Sequence, residues 1–112
     1  MTGLTDVTKD EVLALFSTWT VGLFAGDDEL TDRRYQRAVA QWSPPQGDDV
    51  RFVDNLNEIR FGNMSIDHQI DHWGVFDTEG RLRARYKLQK ARDIPAIDNA
   101  VFPPGSLRIG IP

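Results

Sequence analysis

The most regular pattern along the chain is an alternation of apolar and polar residues between positions 82 and 89. Leu82, Ala84, Tyr86 and Leu88 alternate with Arg83, Arg85, Lys87 and Gln89. A period of two places the two sets on opposite faces of a β-strand, so one face must pack on a core and the other must meet water or a partner. Shorter runs predict further strands at 18–24, 35–42, 50–53, 58–62, 72–76 and 107–111.

Helical spacing occurs only near the start of the chain. Thr8 and Glu11 stand at the spacing of a capping box, and the apolar residues that follow, ending at Phe16, supply one buried face. We therefore predict one short helix over about 9–16. Turn residues separate the strand candidates, and the strongest turn signal lies at 77–80.

The number and type of these elements predict the fold class. Seven short strands with a single helix leave no crossover helices, which a parallel sheet needs. We predict a mostly β fold, an antiparallel sandwich or a small jelly-roll-like barrel with one short N-terminal helix. The 112 residues fit a single domain, 1–112. The segments 1–6 and 96–105 are predicted to be extended arms that can lie across another subunit.

Composition removes several classes of function. The chain has no cysteine, which excludes a disulfide framework, a thiol nucleophile and thiolate metal ligands. No apolar stretch approaches the roughly 20 residues that cross a bilayer, so no membrane association is predicted. The first residues have neither the basic opening nor the long apolar segment of a secretory signal. We expect synthesis in the cytoplasm, followed by residence there or in an assembly.

The net charge of −4 is unevenly distributed. Residues 1–32 carry seven acids against one base, whereas residues 81–92 carry six bases and no acid. Such an asymmetry is typical of solvated surface, and it also suits head-to-tail contact between neighbouring copies.

Two polar segments raise the question of a metal site. His68 and His72 would stand one turn apart on a helix, but they lie between predicted strands and the chain has no third histidine. A polar loop leading into the strand that carries Trp73 is the favoured interpretation. The acidic loop 27–32 lacks the spaced ligands and central glycine of an EF-hand, and whether it binds a cation stays open. We predict no metal site.

The chain also lacks the patterns of common catalytic and cofactor sites. It contains no Gly-x-Ser-x-Gly, no P-loop and no dinucleotide fingerprint. Acids are plentiful, but nothing singles out two of them as a carboxylate pair for glycoside hydrolysis. We predict no catalytic residue, no cofactor and no enzymatic activity.

A partner interface is the remaining candidate site. The basic stripe of the 82–89 strand could meet nucleic acid, but Tyr86 alternates onto the opposite face and the overall charge is negative. An acidic protein surface is therefore the better partner. The predicted interface residues are Arg83, Arg85, Lys87, Trp42 and Phe102.

The three tryptophans fall within or at the end of strand candidates. Because indole rings carry a large area for burial, Trp19 and Trp73 are predicted to be core residues. Trp42 lies beside a proline-containing loop, so both a core role and an interface role are open to it.

The order of several short motifs is more informative than any one of them. They are Val21-Gly22-Leu23-Phe24, Tyr35-Gln36-Arg37, Ile59-Arg60-Phe61-Gly62, His72-Trp73-Gly74-Val75-Phe76-Asp77 and Phe102-Pro103-Pro104-Gly105-Ser106-Leu107. Over roughly 19–111 this series resembles a family of small tailed-bacteriophage structural proteins, described as tail-fibre-like or head-decoration proteins.

The resemblance implies a virion building block without enzymatic activity or cofactor, made in the host cytoplasm. A capsid decoration (cement) protein that binds the major capsid protein as a homo-oligomer is the first expectation. A tail or tail-tip component of the same particle, in contact with tail proteins, is the close alternative.

Two interpretations from other classes stay open. A stand-alone β-sandwich that binds carbohydrate would expose Trp42 or Tyr35 beside a groove and would be monomeric. A small metal-dependent enzyme would centre on His68 and His72.

Overall fold

One short helix and nine strands make up the part of the chain that the structure describes. This computed structural model describes residues 5–111, apart from the side chain of Asp6. Helix α1 (Asp6–Ala14) continues into a 3-10 turn at Leu15–Thr18. The strands are β1 (Thr20–Ala25), β2 (Asp28–Glu29), β3 (Ala38–Val39), β4 (Arg51–Asp54), β5 (Ile59–Phe61), β6 (His68–Phe76), β7 (Leu82–Ile94), β8 (Ala100–Phe102) and β9 (Arg108–Ile111).

Helix α1 begins at Asp6, earlier than the predicted start at 9. The N-cap is Thr5, whose hydroxyl accepts a hydrogen bond from the backbone N–H of Thr8 at 3.3 Å. The capping-box spacing of Thr8 and Glu11 was therefore a wrong signal, because both residues lie inside the helix. The predicted apolar face is confirmed in part: Leu13 and Phe16 are buried and Val12 is half-buried, but Leu15 is exposed.

The larger layer is a five-stranded antiparallel sheet with β1 and β6 side by side at its centre. β7 pairs with the other edge of β6, and the two-residue strands β2 and β3 share the other edge of β1. β6 and β7 form a hairpin through the predicted turn at 77–80. Gly80 has a φ of +80° there, a conformation that favours glycine.

The facing layer consists of two short antiparallel pairs, β4 with β9 and β5 with β8. Both layers contribute to one buried cluster, which includes Val21, Leu23, Ile70, Trp73 and Val75 from the large sheet and Val53, Ile59, Phe61, Phe102 and Ile109 from the small pairs. Two antiparallel layers over one core form a small β-sandwich. The predicted fold class, mostly β with one short N-terminal helix, is confirmed.

β6 and β7 are longer than predicted. The polar loop expected before the strand predicted at 72–76 is strand from His68 onward, and β7 continues to Ile94 instead of ending near 89. The two extensions pair with each other, His68 opposite Ile94, and they bury Ile70 in the core.

A β-bulge explains why the alternation did not reveal these extensions. His72 pairs with Lys87 and Ile70 pairs with Arg92, so the single residue Asp71 faces the four β7 residues 88–91. Extra residues on one strand shift the side chains that follow them relative to the two faces. The period of two therefore does not continue past Leu88.

Two further predictions need correction. Of the strand expected at 35–42, only Ala38–Val39 forms, with an isolated bridge from Trp42 to Asn55. The side chains of Tyr35 and Arg37 instead bond to Glu29, and the Tyr35 N–H closes a turn on the Asp32 carbonyl.

The arm predicted at 96–105 is not free over its middle part. It contains β8, which pairs with β5 of the same chain and buries Ala100 and Phe102. Of the arm predicted at 1–6, residues 1–4 lie outside the described residues, and Thr5 and Asp6 belong to the start of α1.

Candidate partner-binding groove

The two edges of the large sheet differ in how they are covered. Along β1, the gap between β2 and β3 is filled by a side chain: the Tyr35 hydroxyl accepts a hydrogen bond from the Leu23 N–H at 3.0 Å. The Leu23 carbonyl in turn accepts from the Leu30 N–H at 3.0 Å. Along β7, no strand within residues 5–111 pairs with the edge that faces away from β6.

An uncovered strand edge is a template for pairing with another chain. β7 has 13 residues, so its free edge is about 43 Å long at roughly 3.3 Å per residue. The bulge at 88–91 lies within this edge and removes four residues from regular pairing with β6. Bulges of this kind often occur where a sheet meets a binding site.

A groove runs beside the bulge. We call it the β7 groove. Its volume is about 660 Å³, and it is lined by Trp73, residues 86–90 of β7 and residues 105–108. Pockets of about 300–1,000 Å³ hold ligands of substantial size. The groove lies where the two layers of the sandwich stay open to solvent, between β7 and the segment that leads into β9.

Stacked aromatic rings support the floor of the β7 groove. The rings of Trp73 and Tyr86 lie 4.8 Å apart at 27°, and Trp42 stacks on Trp73 at 6.3 Å. Trp73 is buried, as predicted, whereas Trp19 is half-buried against the core. Tyr86 and Leu88 are also half-buried, so the groove exposes part of the core's apolar surface.

The predicted cationic residues occupy the face of β7 that points away from the core. Arg83 lies 3.3 Å from Asp77, and Arg85 lies 2.9 Å from Asp27 and also donates to the Gly26 carbonyl. These ion pairs neutralise two of the bases of β7 within the chain itself. The side chains of Lys87 and Lys90 form no ion pair or hydrogen bond inside the described range, so their charge is available to a partner.

The other two predicted interface residues are placed differently. Phe102 is only 3% exposed and packs edge-on against Phe61 at 6.0 Å, with Arg92 over its ring, so its prediction as a contact residue is corrected. Trp42 is half-buried in the aromatic stack, and its indole N–H is buried without a hydrogen-bond partner. Trp42 therefore supports the groove from below and does not form an exposed platform.

The opposite side of the sheet carries a closed arrangement that we call the outer-face cluster. Its members are Gly22, Phe24, Glu29, Tyr35, Arg37, Gly74 and Phe76. Gly22 and Gly74 pair directly across β1 and β6, and Phe24 and Phe76 stack beside them with centroids 6.0 Å apart.

One carboxylate holds the polar part of this cluster together. Glu29 accepts a 2.6 Å hydrogen bond from the Tyr35 hydroxyl and two 2.9 Å bonds from the Arg37 guanidinium. Burial opposes ionisation of Glu29, but the bonds from Arg37 and Tyr35 outweigh it and hold the pKa of Glu29 below its ordinary value. Burial, followed by the hydrogen bond to Glu29, raises the pKa of Tyr35, which keeps its proton in place.

The absence of a side chain at Gly22 makes room for the cluster. A Cβ there would stand 2.7 Å from the Phe76 ring, 2.8 Å from the Tyr35 hydroxyl and 2.9 Å from the Glu29 carboxylate. A glycine inside a strand marks such close approach, and this was the signal that sequence reasoning did not use.

His68 belongs to a second polar cluster, around Asp32. The His68 ring lies 2.8 Å from the Asp32 carboxylate, which also accepts from the Ser65 hydroxyl and from the N–H groups of Ser65 and Ile66. The N–H of Arg34 is the largest cause that holds the pKa of Asp32 well below its ordinary value, against the opposing effect of burial.

This cluster lacks the geometry of a nucleophilic relay. The Ser65 hydroxyl donates to the Asp32 carboxylate and not to His68, so the histidine is not positioned to take its proton. His68 borders a shallow depression of about 520 Å³ with Asp67, Gln69, Asp93, Ile94 and Pro95. His72 bonds to Asp71 instead of sharing a site with His68. Among residues 5–111 no three histidine, aspartate or glutamate side chains converge on one point that could hold a metal ion.

The chain matches no family model and no curated protein sequence. Within residues 5–111, no helix combines the length and the apolar character needed to cross a bilayer.

Proposed function

We propose that this protein is a non-catalytic structural subunit that docks onto a larger assembly through the β7 groove. The observation that carries the proposal is the combination of an unpaired strand edge, a bulge and a groove at one place on the sandwich. An edge left open over this length favours pairing with a partner chain, because binding would satisfy its backbone groups.

The assembly that we propose is the virion of a tailed bacteriophage. The support is the order of motifs that resembles small phage structural proteins, together with the structural role of those motifs. Residues of three of them, Gly22, Tyr35 and Gly74, meet in the outer-face cluster, so these motifs contribute to the packing of one sheet. Within the virion, capsid decoration on the major capsid protein is the first proposal, and a tail component is the second.

Several apolar side chains outside the β7 groove are exposed. Val39, Ile66 and Ile97 are each more than half exposed, and the Ile97 backbone has a φ of +72°. A β-branched residue in that conformation is strained, and such strain is typical of positions held for a purpose other than stability.

Co-sedimentation tests the proposal directly. Purified protein is mixed with assembled capsid shells, and in parallel with purified tails, of the phage or prophage whose genome carries the gene. Decoration predicts saturable binding to shells. Binding to tails alone would replace decoration by the tail role, and binding to neither would contradict a virion role.

Filling the β7 groove with a larger side chain tests whether it is the docking site. Gln89 is exposed, lines the groove and makes no hydrogen bond within residues 5–111, so Gln89→Trp should occupy the groove without disturbing the core. We expect at least a tenfold loss of shell binding, about 1.4 kcal/mol. Thr78→Trp, an exposed position in the β6–β7 turn, is the matched control and should bind as the parent does. Equal binding by both variants would place the docking surface elsewhere.

A further inference from the structure

We infer that the occupant of the β7 groove is an extended, acidic segment of the partner protein, added as a strand along β7. This inference rests on the proposed function and deepens it by naming the chemistry of the docking segment. The charge of β7, the residues that line the groove and the two faces of the strand support it.

The charge of β7 selects an acidic partner. The strand carries five bases, Arg83, Arg85, Lys87, Lys90 and Arg92, and one acid, Asp93. Arg83 and Arg85 are already paired with acids, and Arg92 donates to the Val101 carbonyl at 2.9 Å. The charge left over is that of Lys87 and Lys90, and both line the groove.

The far wall of the groove adds no acidic side chain to the lining. Arg108 lines that wall and is held by Asp54 at 2.8 Å, with its guanidinium 3.7 Å from the centre of the Phe52 ring. Asp54 is half-buried beneath it and does not line the groove. An acid that enters the groove therefore meets the unpaired cations Lys87 and Lys90 and no lining carboxylate, a complementary arrangement that guides binding.

The alternation of β7 predicts the pattern of the segment. A strand laid along β7 presents alternate side chains to its two faces. Those on the core side meet the half-buried Tyr86 and Leu88, and those on the other side meet Lys87. We expect acidic residues to alternate with apolar ones.

A second copy of this chain is a poorer occupant. Pairing β7 with another β7 would bring the five bases of one strand against the five of the other, with only one acid on each. Like charges across a strand pair are destabilising, and basic residues on a free edge are a known device against self-association.

Fluorescence anisotropy with synthetic peptides tests the inference on the full chain. The first probe is a short labelled peptide that alternates glutamate with valine. The second replaces each glutamate by glutamine, and the third keeps the glutamates but replaces the valines by proline, which removes backbone donors. We expect measurable binding of the first, weakened by salt, and at least tenfold weaker binding of the other two.

Charge reversal on the protein locates the binding site. Lys87→Glu combined with Lys90→Glu should weaken binding of the glutamate–valine peptide at least tenfold. Arg33→Glu combined with Arg34→Glu, an exposed pair outside the groove, is the matched control and should bind as the parent does. Sedimentation of the chain without peptide measures its oligomeric state and so tests whether a second copy occupies the groove.

Each outcome decides the inference. Equal binding of the glutamine or proline peptide, equal loss in the control variant, or no binding of any peptide overturns it. Dimerisation that the Lys87/Lys90 variant abolishes would make a second copy the occupant and would also overturn it. A chain that binds capsid shells but not the acidic peptide contradicts only this inference, whereas one that binds the peptide but neither shells nor tails contradicts only the proposed function.

Discussion

The large sheet has two edges, and the chain treats them differently. Along β1, Leu23 lies in the gap between the short strands β2 and β3. Its N–H bonds to the Tyr35 hydroxyl, and its carbonyl accepts from the Leu30 N–H. Along β7 the edge is open, and the unpaired cations Lys87 and Lys90 lie beside it. On the proposed function, the β1 edge contributes to folding stability and the β7 edge serves binding. Substitutions at the two edges should therefore separate stability from binding.

The largest effect is expected at Gly22. Gly22→Ala places a methyl group less than 3.0 Å from the Phe76 ring, the Tyr35 hydroxyl and the Glu29 carboxylate, and the ring is fixed by its stacking on Phe24. Forcing extra volume into a packed site costs about 1–3 kcal/mol, and we expect the upper part of that range. Chemical denaturation with the linear-extrapolation analysis measures the loss.

A matched glycine provides the control for this prediction. A Cβ at Gly62 would meet nothing within 4 Å, and its backbone is not in the left-handed region. Gly62→Ala should change the free energy of unfolding by less than about 0.5 kcal/mol. A similar loss in both variants would mean that the close approach at Gly22 has no special role.

The next largest effect is expected from Tyr35→Phe. The substitution keeps the ring and removes the hydroxyl, so the Leu23 N–H loses its acceptor and Glu29 loses a donor. A buried group left without a partner costs about 1–3 kcal/mol. The Tyr86→Phe variant, which removes a hydroxyl without a hydrogen bond in the described part of the chain, is the control. If Tyr35→Phe is no worse than Tyr86→Phe, the β1 edge does not depend on the hydroxyl.

Sequence reasoning predicted the sandwich but not the cause of the difference between its edges. Alternation depends on nearest neighbours along one strand, so it located β1 and the first half of β7 correctly. The Gly22–Tyr35–Glu29 contacts join residues from separate elements, and no period relates them. The bulge at 88–91 interrupts the alternation, and this explains why Lys90 was not among the predicted interface residues while Lys87 was.

The third prediction concerns the pH dependence of stability and the carboxylate of Glu29 at the β1 edge. Because the folded state lowers the pKa of Glu29, its stabilising contribution is present above its ordinary value of 4.5 and is lost as the pH falls below that value. Asp77 adds to the same trend, since hydrogen bonds led by the Arg81 N–H lower its pKa to about 2. We expect the free energy of unfolding to decrease steadily between about pH 4.5 and pH 2.

The variant Glu29→Gln separates the two acids. It should be less stable than the parent at neutral pH. It should also lose less stability on acidification, because Asp77 still titrates but the Glu29 carboxylate is gone. Glu11→Gln, an exposed side chain outside the outer-face cluster, should keep the parent's pH dependence. Identical pH profiles for Glu29→Gln and the parent would show that Glu29 makes no contribution to acid sensitivity.

The smallest effect on stability is expected at the open edge. Lys87 and Lys90 are exposed and make no ion pair within residues 5–111, so reversing both charges removes no contact and relieves repulsion from Arg85 and Arg92. The free energy of unfolding of the Lys87→Glu, Lys90→Glu variant should lie within about 0.5 kcal/mol of the parent. Chemical denaturation of this variant beside Gly22→Ala therefore contrasts the two edges in one experiment. A loss comparable with that of Gly22→Ala would mean that the β7 edge also holds the fold together, and the division between a folding edge and a binding edge would be wrong.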